Sequence, residues 1–150
     1  MGLDSYLNAI FRFSSENPKC AAITEKMGLS ASDYDNEYSS IGVIVPVGYW
    51  RKANQIHKWF VDNIQNGQDD CGEYFVSRED LIKLRGLCRK VMRNRKKAHE
   101  LLPSSSGFFF GGVEYDKYYF EQIKSTIKIL DNVINNPKYI GADFYYLASW

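Results

Sequence analysis

His57 is the side chain whose type and setting offer the most chemistry. It falls within Trp50, Ala53, His57, Phe60 and Ile64, which recur at three- and four-residue steps, so an imidazole interrupts an apolar helical face. Imidazole changes charge near neutrality and can serve as general base, ligand or hydrogen-bond anchor. The same placement suits a core histidine whose ring nitrogens are both satisfied. Asp69-Asp70-Cys71-Gly72 follows the helical pattern, and a chain turning back there would carry a carboxylate toward the ring. An enzyme would then use His57 as general base beside Asp70, with Cys71 as a nucleophile if its thiol reached the imidazole. The two aspartates have a simpler use in shaping a turn, where Asp bonds its own backbone. The spacing fits neither HExxH nor a paired-cysteine box, so no metal and no cofactor are expected.

A second group of residues suits a ligand that carries negative charge. Ser104 to Gly112 joins three serines, three consecutive phenylalanines and a double glycine, offering hydroxyls and amides for an anion and rings for stacking. It lacks the Gly-Lys-Ser/Thr of a phosphate-binding loop. The segment from Arg78 to Lys97 holds nine basic residues against two acidic ones, a local +7, while the remainder of the chain is −6. The helix dipole alone would favour cations near that helix's end. As a site, Arg89 and Arg93 would supply charge, Ser104, Ser106 and Gly107 hydrogen bonds, and Phe109 or Tyr115 a stacking face.

Charge of this kind makes a dipole and not a polycation, which disfavours nucleic-acid coating and favours a localised anionic partner. At 150 residues, with 45% hydrophobic and 25% charged content, the chain suits one globular domain over 1–150. The 15% aromatic content, with 11 Tyr, implies amphipathic surfaces or a lined pocket, because a buried phenol needs a partner. Three cysteines without CxxC spacing suit a reducing compartment, and no apolar run approaches the roughly 20 residues of a membrane span. A soluble, cytoplasmic protein is expected.

The pattern predicts an α+β fold in which three principal helices pack with a small, mainly antiparallel sheet that includes strands from both ends of the chain. The helices are expected near 49–64, 77–99 and 116–135, with a short one over 18–27 between Asn17-Pro18 and Gly28. Strands are expected over 1–13 (short, with a break), 41–47 (where Pro46 demands an edge or an end), 73–76 and 143–150. The polar segment 30–40 reads as a loop.

Several blocks resemble small uncharacterised proteins of tailed phages and bacteria: Tyr49-Trp50-Arg51-Lys52-Ala53-Asn54 with Ile56-His57 and Trp59-Phe60-Val61, and Asp69-Asp70-Cys71-Gly72-Glu73-Tyr74. Leu101-Leu102-Pro103 with Ser106-Gly107-Phe108-Phe109-Phe110-Gly111, and Asp143-Phe144-Tyr145-Tyr146 with Ser149-Trp150, carry the likeness through about two-thirds of the chain. Where those proteins often carry Gln, this chain has Ser105, and any ligand contact made there would differ. The resemblance implies a phage-type accessory protein made in the bacterial cytoplasm and no particular chemistry. The expected function is non-catalytic capture of a small anionic, nucleotide-like ligand, as a counter-defence sponge would perform. The alternatives are a module that inhibits a host protein through its charged faces, and a small hydrolase or transferase using His57 and Asp70. Self-association is compatible with each.

Overall fold

Two signals at the ends of the first helix act as their residue types dictate. Asn17 accepts from the amide of Lys19, Pro18 fills the first helical position, and Gly28 closes the helix in the left-handed region at φ 68°. The computed structural model describes residues 2–29, 40–107 and 109–150; the loop expected over 30–40 lies outside them except for residue 40, as does Phe108. The fold is α+β: β1 (Asp4–Ser14), α1 (Pro18–Met27), β2 (Ser40–Arg51), α2 (Asn54–Asn63), β3 (Glu73–Val76), α3 (Arg78–Arg93), α4 (Ala98–Leu101), α5 (Lys117–Asn135) and β4 (Asp143–Ser149), with 3₁₀ turns at Arg95–Lys97 and Pro137–Tyr139.

The four strands form one antiparallel sheet in the order β2-β1-β4-β3. Pro46 is tolerated because β2 is an edge strand, and beside it the register against β1 slips at Leu7/Asn8, a bulge. Thus β1 is not short and broken; it runs 11 residues unbroken, and the irregularity sits on its neighbour. Leu7 and Ala9 of β1, with Leu3 just before it, Trp50 of β2, Val76 of β3 and Phe144, Tyr146 and Ala148 of β4 turn one face of the sheet into the core. Ile56 and Phe60 of α2, Leu81, Leu84, Cys88 and Val91 of α3, and Ile123, Leu130 and Val133 of α5 cover it.

The helix expected over 49–64 begins five residues late. Tyr49 is exposed and Trp50 buried, the two-residue alternation of a strand, and the Trp50 indole donates to Thr126 Oγ1 at 2.9 Å. Lys52 then takes φ 55°, which ends the strand and lets α2 start at Asn54. The helix expected over 77–99 stops at Arg93, because Asn94 adopts φ −139° and ψ 86° and the chain continues as a 3₁₀ turn. At its start Ser77 Oγ accepts from the Asp80 amide at 3.1 Å and donates to Asp80 Oδ2 at 2.6 Å, a capping pair. That contact, with Lys83 next in weight, holds the Asp80 carboxyl below its ordinary range.

At Gly48, β2 lies against Ile129 of α5 with no room for a side chain. A Cβ there would stand 3.0 Å from both Ile129 Cγ2 and Trp50 Cη2 and 3.2 Å from Leu7 Cβ. Gly48→Ala is expected to lower stability by about 1–3 kcal/mol through overpacking, read as a drop in urea midpoint at unchanged m-value.

Candidate functional site

His57 enters the core from the first turns of α2 and is 1% exposed. Its Nδ1 lies 2.8 Å from the Tyr146 hydroxyl and its Nε2 lies 3.1 Å from Asp69 Oδ1. A neutral ring protonated on Nε2 satisfies both bonds: it donates to the carboxylate and accepts from the phenol. Burial raises the Tyr146 pKa, so that phenol keeps its proton. Phe60 stacks on the Tyr146 ring at 3.8 Å, and the Phe110 ring meets His57 edge-on at 5.2 Å. Ser5 also approaches the Tyr146 hydroxyl, without completing a hydrogen bond to it. Both imidazole nitrogens are therefore engaged by protein groups, and Tyr146 is itself fully buried.

The carboxylate that turns back to His57 is that of Asp69. Asp70 instead closes the turn: it accepts from the Gly72 amide at 2.9 Å and from the Tyr74 hydroxyl, and these bonds, the amide first, lower its pKa. The expected pairing of His57 with Asp70 is corrected by one residue, because an Asx turn needs its side chain two positions before the amide it caps. Cys71 is exposed and holds φ 57°, and no bond joins its thiol to His57. Cys88 is sealed in the core, where burial pushes its thiol up to about 12. Among the described residues, no three His, Cys, Asp or Glu side chains gather as a metal site requires.

The Ser104–Gly112 segment is held by a residue far from it in sequence. Asn54, 1% exposed, donates to the Phe110 and Gly112 carbonyls at 3.1 and 2.8 Å, and its own carbonyl accepts from the Ser105 amide at 3.0 Å. The Leu3 amide adds a bond to the Phe109 carbonyl at 3.1 Å. Beside this loop lies a groove of 390 Å³ lined by Asp69, Ser105, Ser106, Gly107, Phe109, Phe110 and Trp150. The Trp150 indole donates to Asp69 Oδ1 at 2.9 Å, so one carboxylate oxygen receives both His57 and Trp150.

A larger groove of 840 Å³ lies elsewhere, between the end of α3 and one face of α5. Met92, Phe120 and Ile127 contribute apolar surface, and Arg95, Tyr115, Lys117, Lys124 and Lys128 add charge and a ring. The Arg95 guanidinium stands 4.6 Å over the Phe120 ring, a cation–π contact.

No family model, curated protein or solved structure matches this chain.

The residues expected to form one anion site are divided between these two places. Ser106, Gly107 and Phe109 line the smaller groove, which contains a carboxylate, while Tyr115 belongs to the larger one. The Ser104 amide donates to the Tyr115 hydroxyl at 3.2 Å, and its own hydroxyl is buried without a hydrogen-bond partner among the described residues. Arg89 is committed to Asp131 at 2.7 Å, a carboxylate it shares with Arg85 at 3.0 Å, and this pairing ties α3 to α5. Arg93 is exposed and lines neither groove. The residues that sequence reasoning did not name for a site are Asn54, Arg95 and Trp150, and Asp69 was named only together with Asp70. Arg95 had a signal, since Asn94 is a weak helix former that can turn the chain and aim the next residue elsewhere.

Proposed function

We propose that this protein is a non-catalytic binding protein whose basic groove captures a small anion with a flat apolar body, of the nucleotide class. The observation that carries this reading is the charge balance of the 840 Å³ groove. Of its two acids, Asp116 caps α5 by accepting from the Tyr119 amide at 3.0 Å, and Glu121 pairs with Lys117 at 3.7 Å. Arg95, Lys124 and Lys128 then face the groove without an ion-pair partner among the described residues. Phosphate oxygens would meet these cations, and a base would lie on Phe120, Met92 and Ile127 beside the Tyr115 ring. Arg93, Lys96 and Lys97 add to the local field. The enclosure of both His57 nitrogens supports binding over catalysis. With the resemblance to tailed-phage proteins, such capture would withdraw a nucleotide messenger from host defence.

Isothermal titration with mono-, tri- and cyclic nucleotides is expected to show saturable binding that weakens with salt. Arg95→Ala should weaken it about 10- to 100-fold, the range for one charge-assisted contact, with thermal stability little changed. A flat isotherm at millimolar nucleotide, or equal binding by Arg95→Ala, would remove the reading.

A second reading, a module that inhibits a host protein, draws on the outer face of the sheet. Ile44, Phe75 and Tyr49 are 58%, 56% and 49% exposed there, with Tyr6 5.3 Å from Tyr49 and Phe75 5.8 Å from Tyr145. Exposed aromatics on a flat sheet are the usual material of a protein interface.

A further inference from the structure

The smaller groove carries a chemistry opposite to the one its serines and glycines suggest. Among the described residues Asp69 is the one ionisable side chain that lines it, and Phe109, Phe110 and Trp150 supply its aromatic surface. An anion placed there would face a carboxylate at close range. A cation would gain from that charge and from the ring faces together, the pairing by which aromatic sites hold ammonium groups. We propose that this groove is a recognition site for an organic ammonium ion, distinct from the basic groove and of opposite sign.

The site is built and not incidental. The Asp69 carboxylate is fixed through Oδ1 by two donors, the His57 imidazole at 3.1 Å and the Trp150 indole at 2.9 Å. Both bonds fall on the same oxygen, and the Asp69 side chain keeps 31% of its surface exposed, so the carboxylate remains within reach of a ligand. The indole bond also sets the Trp150 ring beside the carboxylate, and Phe110 meets that ring at 6.2 Å and 64°. The Phe110 ring is braced from the other side by the edge-on His57 contact at 5.2 Å. The backbone under Phe110 is held by Asn54, so carboxylate and rings keep their relative positions before any ligand arrives. A volume of 390 Å³ accommodates a quaternary ammonium headgroup with a short tail.

The test is calorimetric titration with choline and with 3,3-dimethylbutan-1-ol, which has the same shape and no charge. Choline is expected to saturate and the alcohol to bind at least about tenfold more weakly. Asp69→Asn keeps an oxygen to accept from His57 and Trp150 but removes the charge, and should weaken choline by about tenfold with the melting temperature nearly unchanged. Trp150→Leu should remove choline binding. A peptide bearing trimethyllysine forms a second arm. Tighter binding of the peptide than of choline assigns the ammonium to a protein side chain, and equal or weaker binding assigns it to a small molecule. Equal binding of choline and the alcohol, or no choline heat from the folded wild-type protein at roughly 10 mM, overturns the proposal. Arg95→Ala should leave choline binding intact, so failure of the nucleotide reading and failure of this one are separable.

Discussion

Asn54→Ala is expected to cost about 3 kcal/mol and to loosen the whole Ser104–Gly112 segment. The side chain is 1% exposed and makes three hydrogen bonds to backbone groups more than 50 residues away, at Ser105, Phe110 and Gly112. Truncation leaves two carbonyls and one amide to find water, at about 1 kcal/mol each, and opens a small void under the loop. Partial exposure of the loop lets some of those groups rehydrate, which keeps the loss from growing larger. The urea midpoint measures the global effect. Amide exchange at Ser105 and Leu3 measures the local one, since Leu3 bonds the Phe109 carbonyl. If both amides stay as protected as in the parent protein, Asn54 is not the clamp. Choline affinity should fall with the same substitution, because the Phe110 wall depends on it.

His57→Ala is expected to be of similar size, about 3–4 kcal/mol, for a different reason. It removes a buried ring from among Phe60, Phe110 and Tyr146 and leaves the Tyr146 hydroxyl without its imidazole partner in a place water does not reach. Tyr146→Phe deletes only the hydroxyl and should cost about 1–2 kcal/mol, the price of an unpaired Nδ1. The double variant separates the parts. If the His57–Tyr146 bond is real, the two losses fall short of additivity by about 1 kcal/mol; strict additivity in chemical denaturation would show that the 2.8 Å contact contributes nothing.

Much of the architecture was legible because local chemistry determines it. Asn17-Pro18 and Gly28 announce helix ends through their own side chains or backbone, and each acts where its type suggests. A strand at 143–150 was legible from alternation, and it is found at Asp143–Ser149, where Phe144 and Tyr146 are the buried side of β4. The boundary at 49–53 was not legible. Trp50, Ala53 and His57 are spaced as a helix would space them, yet Trp50 reaches the core from a strand and the other two from a helix start. Only the φ of 55° at Lys52 separates them, and lysine gives no hint of it. The candidate site was harder for a related reason. Between Asp69 and Asp70 the choice of partner for His57 is a matter of one residue's rotation in a turn. Arg89 and Arg95 are alike in type, but one faces Asp131 on α5 and the other lies past the end of α3, so charge counting treats as equal two groups that packing makes different. Asn54 and the loop it holds are joined through space alone, and no periodicity records such a contact.

The register of β1 against β4, Asp4 with Ser149 through Ile10 with Asp143, makes the earliest strand and the latest one neighbours in the middle of the sheet. During synthesis β1 emerges before the other described strands and can pair with β2, but its other edge waits for residues 143–149 to leave the ribosome. Tyr146, which completes the bonding of His57, arrives in that same last strand. The two grooves part company on this point. The basic groove draws its walls from α3, α5 and the segments beside them, whereas the Asp69 groove needs Trp150, just past β4. A nascent chain can therefore assemble the first before it has made the second, and the closing of the sheet is the event that completes the latter.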